Sequence, residues 1–96
     1  MTAELDRHLL APARLKLTTM LTAVSEAEFA VLRDGLGVSD SVLSKHLATL
    51  AAAGYVRSRK GTHEGRRTTW VALSPTGRRV LRNHVAMLRE IIDGVE

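Results

Sequence analysis

Along this 96-residue chain the apolar positions fall at helical spacing in both halves, with one alternating segment between them. Leu5, Leu9 and Leu10 make a short stripe ending at Pro12, and proline is tolerated in a first helical turn. A helix is therefore expected from about Pro12, with Leu17, Met20, Leu21 and Val24 on its buried face. Ser25-Glu-Ala-Glu28 has the spacing of a capping box, flanked by Val24 and Phe29 as a hydrophobic staple. It predicts a second helix that opens at Ser25 and buries Phe29 and Leu32. Gly35-Leu-Gly37 can adopt the left-handed turn that stops it. Ser39 is the natural cap of a third helix, with Val38 and Leu43 as the next staple. Within it, Leu43, Leu47 and Leu50 recur at i, i+4 and i+7 and face the core, whereas Ser41, Ser44, Lys45 and Thr49 point away. Val42 and His46 lie at the margins of the stripe.

Gly54 ends this helix, and the pattern then changes period. Tyr55 to Lys60 alternates, and Thr68 to Leu73 is rich in β-branched and aromatic residues, so both read as strands. Gly61 to Arg67 is polar and glycine-bearing and reads as a hairpin tip. Ser74-Pro75 is a cap followed by proline at the first helical position, and helical spacing runs from there to Ile92 or beyond. Leu81, Val85, Leu88, Ile92 and Val95 form one row of that helix, with Val80, Met87 and Ile91 beside it. Such a stripe is wider than one small core needs. It predicts a two-fold dimer packed through this helix and the first residues, with Leu5, Leu9, Leu81, Val85, Leu88, Ile92 and Val95 at the interface. The plainer reading is a stripe that covers only its own core.

The expected fold class is mainly α with a small β-hairpin, in the order of three helices, two strands and one helix. One domain spans residues 1–96, with a helix-turn-helix at about 26–53, a wing at about 55–73 and a terminal helix at about 75–93. Phe29, Tyr55 and Trp70 are the only aromatic residues besides histidine, so the core must be aliphatic. The absence of cysteine excludes disulfides and thiolate metal sites. No signal-peptide pattern, membrane-length apolar run, repeat or linker is present, and a cytoplasmic protein is the default expectation.

Charge is unevenly distributed. The net charge is +4, but from Ser41 to Arg89 ten Lys or Arg accompany the single acid Glu64, whereas the remainder carries four bases and nine acids. A domain polarised in this way attracts polyanions, although a merely solvated basic surface has the same composition.

Several stretches taken together resemble the winged helix-turn-helix transcriptional regulators near the MarR-like and ArsR-like proteins, and in particular a compact bacterial winged-helix family. They are Leu5-Asp-Arg-His, Phe29 to Leu32, Leu43-Ser-Lys-His-Leu47, Ala53-Gly-Tyr-Val56, Gly65-Arg-Arg, Thr69-Trp70 and Leu73-Ser-Pro-Thr-Gly-Arg78. The resemblance implies a dimer that binds duplex DNA near promoters, expected here to be a homodimeric repressor at a palindromic operator. ArsR-like metal sensors carry a cysteine pair that this chain lacks, and His84 with Asn83 is a poor substitute, so no metal or other cofactor is expected.

In such a fold the third helix enters the major groove. Ser39 and Ser41 would then meet phosphate, Ser44, Lys45 and Thr49 would reach bases, and Lys45 can donate to guanine O6 and N7. His46, in Ser44-Lys-His-Leu47, resembles a DNA-facing histidine and is read as a DNA contact, although a ring beside a buried leucine also suits packing with one hydrogen bond. Asp40 repels phosphate but complements the helix dipole, which makes it structural, or an acceptor from cytosine at most. Arg66 and Arg67 at the wing tip would clamp phosphates or enter the minor groove, assisted by Lys60, His63 and Thr68. Arg57 and Arg59 suit DNA or a carboxylate of the first helices equally, and Arg78, Arg79 and Arg82 suit a solvated face. The chain carries no motif of an enzyme: no phosphate loop with lysine, no metal-ligand pair and no nucleophile with a base. The alternative is a winged helix that binds protein and not DNA. A small apolar effector between the terminal helices is a further reading of the broad stripe, against a dry interface.

Overall fold

A computed structural model describes residues 4–95, so the outermost residues of the expected domain lie outside it. The elements are α1 (Pro12–Thr22), β1 (Ala27–Glu28), α2 (Phe29–Leu36), α3 (Asp40–Ala52), β2 (Val56–His63), β3 (Arg66–Leu73) and α4 (Pro75–Asp93). The three strands form one antiparallel sheet in the order β1-β3-β2. Leu17 and Leu21 of α1, Leu32 of α2, Leu43, Leu47 and Leu50 of α3, Val71 of β3 and Leu81 of α4 meet in a single aliphatic core. This arrangement of helices around a hairpin wing is a winged helix fold.

Local signals account for most boundaries. Pro12 stands at the start of α1, and Gly37 ends α2 in the left-handed region at φ 68°. The Ser39 and Ser74 hydroxyls accept from the Val42 and Gly77 amides, capping α3 and α4. The capping box at Ser25 does not form. The second helix starts only at Phe29, and Ala27 and Glu28 instead pair with Val71 and Trp70. Sheet pairing satisfies these backbone groups, and Glu26 and Glu28 turn to partners on the wing, so neither is left to close a cap. Val24 accordingly lies beyond α1 and is exposed, while Thr18 is buried in α1 and donates its hydroxyl to carbonyls of its own helix.

The hairpin tip is also shorter than the composition implies. Pairing continues through Gly61↔Thr68 to His63↔Arg66, leaving only Glu64 and Gly65 in the turn. Both have positive φ, 52° and 79°, which is the twist of a type I′ connection.

The N-terminal segment is tied down by polar contacts. The Asp6 amide donates to Nδ1 of His84, which is buried in α4, and the Asp6 carboxylate accepts from the His8 amide and from the Tyr55 hydroxyl. His84 is thus a satisfied core histidine. Leu9, held behind this latch, is 1% exposed, and Leu81 is 5% exposed. Both were expected at a dimer interface. Each is instead used by the core of one chain, because the N-terminal segment folds back over α4.

Burial first, and then the hydrogen bond to Asp6, pushes the Tyr55 hydroxyl up to about 12 from its ordinary 10.0. A group whose folded pKa is raised contributes stability that is complete below the unfolded value and lost as pH rises through the folded one. Urea midpoints of the parent should therefore fall more steeply between pH 10.0 and about 12 than those of Tyr55→Phe. Parallel curves would show that the latch contributes nothing through this hydroxyl.

Candidate nucleic-acid interface

Because Leu43, Leu47 and Leu50 are buried, the opposite side of α3 is turned outward, and Ser41, Ser44 and Lys45 are all exposed on it. Ser39 precedes them: its Oγ accepts from the Val42 amide and lies 3.2 Å from Ser41 Oγ. Thr49, one turn beyond Lys45, is half-buried. His46 is half-buried as well, with Nδ1 3.4 Å from Nη1 of Arg14. Arg14 in turn donates from Nε to the His8 carbonyl at 2.6 Å. A guanidinium only donates, so Nδ1 must accept and the ring proton belongs on Nε2. Burial foremost, and then the Arg14 charge, holds His46 below the ordinary imidazole value. The structure thus packs His46 against α1, with one ring nitrogen already engaged.

On the wing, strand register sorts the candidates by face. Side chains alternate along a strand, so Ser58, Lys60 and Thr62 of β2 share a face with Arg67, Thr69 and Val71 of β3. That face looks toward α3. Ser44, Leu47, Ala48 and Ala51 of α3, Phe29 of α2, and Ser58, Lys60 and Thr69 of the wing line one groove of about 290 Å³. Lys60 Nζ donates to Thr69 Oγ1 at 2.9 Å, and the two border a second hollow of about 300 Å³ with Gly61, Arg67 and Thr68. Ser44 of α3 and the Lys60 ammonium therefore share one recess, and Lys60 borders the adjoining hollow with Arg67. Ser58 and Thr69 are unforeseen members of that recess. Their strand parity with Lys60 marks them once the pairing is known to run unbroken to the tip.

The opposite face carries Arg57, Arg59 and His63 of β2 with Arg66, Thr68 and Trp70 of β3, and β1 runs alongside. Here the acids collect. Arg59 makes two hydrogen bonds to the Glu26 carboxylate and sits 5.6 Å over the Trp70 ring. The Arg59 hydrogen bond holds the Glu26 carboxyl below its ordinary range. Glu28 accepts from Thr68 Oγ1 at 3.2 Å and lies 3.4 Å from Nε2 of His63, whose ring meets Trp70 edge-on. His63 and Thr68, expected to assist the wing arginines, are thus turned toward Glu28 by the strand parity. The same parity sets Arg66 on the face that carries Glu28 and Arg67 on the face toward α3, and both border a hollow of about 150 Å³ with Glu28, His63 and Thr68. Among the described residues, no group of three or more His, Asp or Glu is placed to hold a metal ion, and no helix is long and apolar enough to cross a membrane.

Comparison with known proteins agrees with this geometry. An uncharacterized protein of Methanocaldococcus jannaschii is 26% identical over 83 residues, covering 86% of this chain and 90% of its own. A transcriptional regulator homologue from Pyrococcus horikoshii superposes with a TM-score of 0.88 at 24% identity, over 95% of this chain and 90% of that one. ZitR of Lactococcus lactis, a zinc-responsive MarR family member, superposes with a TM-score of 0.63 at 19% identity, over 86% of this chain and 56% of that one. The relatives include archaeal proteins, so the resemblance is not confined to bacteria. Residues 13–92 match the profile of one family through nearly the whole described fold, and the chain belongs to the winged helix DNA-binding domain family.

Proposed function

We propose that this protein is a sequence-specific duplex-DNA-binding transcriptional regulator that acts as a homodimeric repressor at a palindromic operator. The observation that carries the reading is the pair of adjoining hollows that Lys60 borders: Ser44 of α3 lines one and Arg67 of the wing the other, with Ser41 and Lys45 exposed on the same helix. A helix in the major groove presents Ser44 and Lys45 to base edges, while Ser39, Ser58, Lys60 and Arg67 hold the sugar-phosphate strand alongside. Support for a two-fold assembly comes from the far end of α4. Ile92 and Val95 are 63% and 83% exposed, and Leu5 and Leu10 are exposed as well. Pairing two copies would cover this apolar surface and set two recognition helices about one helical turn of DNA apart, or a multiple of it.

Selection of duplexes from a random pool tests the reading directly. Parent protein is expected to enrich an inverted repeat, and Lys45→Ala to blur one position of each half-site while phosphate-driven binding persists. An enriched site without symmetry would remove the dimer. No enrichment and no salt-dependent binding would remove DNA as the partner.

A further inference from the structure

The turn between α2 and α3 holds an arrangement that the DNA-facing residues do not explain. Arg33, in the last turn of α2, donates from Nη1 to Asp40 Oδ1 and from Nε to Asp34 Oδ1, both at 2.9 Å. Asp40 is the first residue of α3 and lies between Ser39 and Ser41, the two hydroxyls expected at phosphate. Its side chain is 69% exposed, so nothing but Arg33 restrains it among the contacts of the described residues. The arginine side chain is only 33% exposed, lying across the joint between the helices.

A carboxylate in a first helical turn is favourable for the helix, because it faces unpaired amides. The same carboxylate is unfavourable for a second anion at that place. Asp34 and Asp40 with Arg33 sum to a single negative charge; without the arginine the turn carries two beside the incoming strand. Two carboxylates bound at once also pull the guanidinium into a fixed plane, since its fork is rigid. The two acids hold the guanidinium in place, and the guanidinium holds one oxygen of Asp40 against the last turn of α2.

We propose that Arg33 is a positioning residue for DNA binding: it masks Asp40, so that a phosphate can reach the Ser39 and Ser41 hydroxyls at the start of the recognition helix. The proposal rests on the DNA reading above. It assigns Arg33 no contact with DNA. Its effect passes through Asp40, and this separates it from an arginine that binds phosphate itself or one that only braces the two helices.

The test uses the full chain and a random-sequence duplex, with binding measured at two salt concentrations and thermal melting recorded for every variant. Arg33→Ala should weaken binding about tenfold at low salt and less at high salt, as expected for one unmasked surface charge. Arg33→Ala/Asp40→Asn should return to within about threefold of the parent, because the repelling charge is gone although the bridge is not restored. Asp40→Asn alone should bind at least as tightly as the parent. If Arg33→Ala binds like the parent, or if the double variant stays as weak as Arg33→Ala, the proposal is overturned. The second result would leave a direct phosphate contact or a structural brace. A parent that shows no salt-dependent binding would instead overturn the DNA reading, and this proposal with it.

Discussion

Gly77→Ala is expected to cost about 3 kcal/mol of stability. Inside a helix this substitution ordinarily stabilises, by roughly 0.5 to 1 kcal/mol, because glycine loses more backbone freedom on folding. Here the sign reverses. A Cβ on Gly77 would overlap the Tyr55 carbonyl oxygen and stand 2.9 Å from both the Tyr55 carbonyl carbon and Leu73 Cδ1. The leucine can rotate, but the carbonyl cannot retreat, because it accepts from the Ser74 amide at 2.9 Å and stands at the mouth of β2. The first turn of α4 must then lift away from the sheet, exposing Leu81. Against a total stability of about 5 to 15 kcal/mol for a small domain, the loss would be evident in urea unfolding. Gly35→Ala is the control, since the atom its methyl meets is the flexible end of Met20 and the backbone there is ordinary helix. Equal stability of Gly77→Ala and parent would show that α4 can dock without this close approach.

The second large effect concerns the wing. Lys60→Ala/Arg67→Ala should weaken duplex binding about a hundredfold at 0.1 M salt and lower the slope of log affinity against log salt by about two, one for each cation removed. The loss should be nearly uniform across DNA sequences, as expected of cations that meet phosphate and not base edges. His63→Ala, on the opposite face and turned toward Glu28, should change affinity by less than about threefold. Titrations of a labelled duplex at several salt concentrations measure both quantities. An unchanged salt slope in the double variant would mean that the recess between wing and α3 does not hold the DNA backbone.

What could be read from the chain without its structure follows a physical division. Ser39 and Ser74 as caps, Gly37 as a stop, and the Leu43, Leu47, Leu50 stripe are decided within one or two helical turns, and the structure has each of them. Ser25 failed as a cap because its competitor is remote. Trp70 and Val71 supply a strand edge some forty residues downstream, and β1 takes it. Composition overestimates the wing tip for a related reason. Gly61 and Thr62 look like turn residues by composition, yet the two strands hold their register down to His63 and Arg66. Gly61 is required for a different reason: a Cβ there would crowd the Trp70 ring and Arg59. The outward placement of Ser41, Ser44 and Lys45 on α3 follows from helical period alone. That of His46, Thr68 and His63 does not, since their partners Arg14 and Glu28 come from elements distant in sequence.

Ser74 does more than cap α4. Its hydroxyl also donates to the Gly54 carbonyl at 2.6 Å, and its amide donates to Tyr55, so the end of α3 and the start of α4 meet in one bonded joint. From that joint α4 extends 19 residues. A tilt of about 10° at the joint swings the far end of this roughly 28 Å rod through about 5 Å. The converse holds as well: a partner that gripped Ile92 near the end of α4 would act on the end of α3 with a lever about as long as the helix.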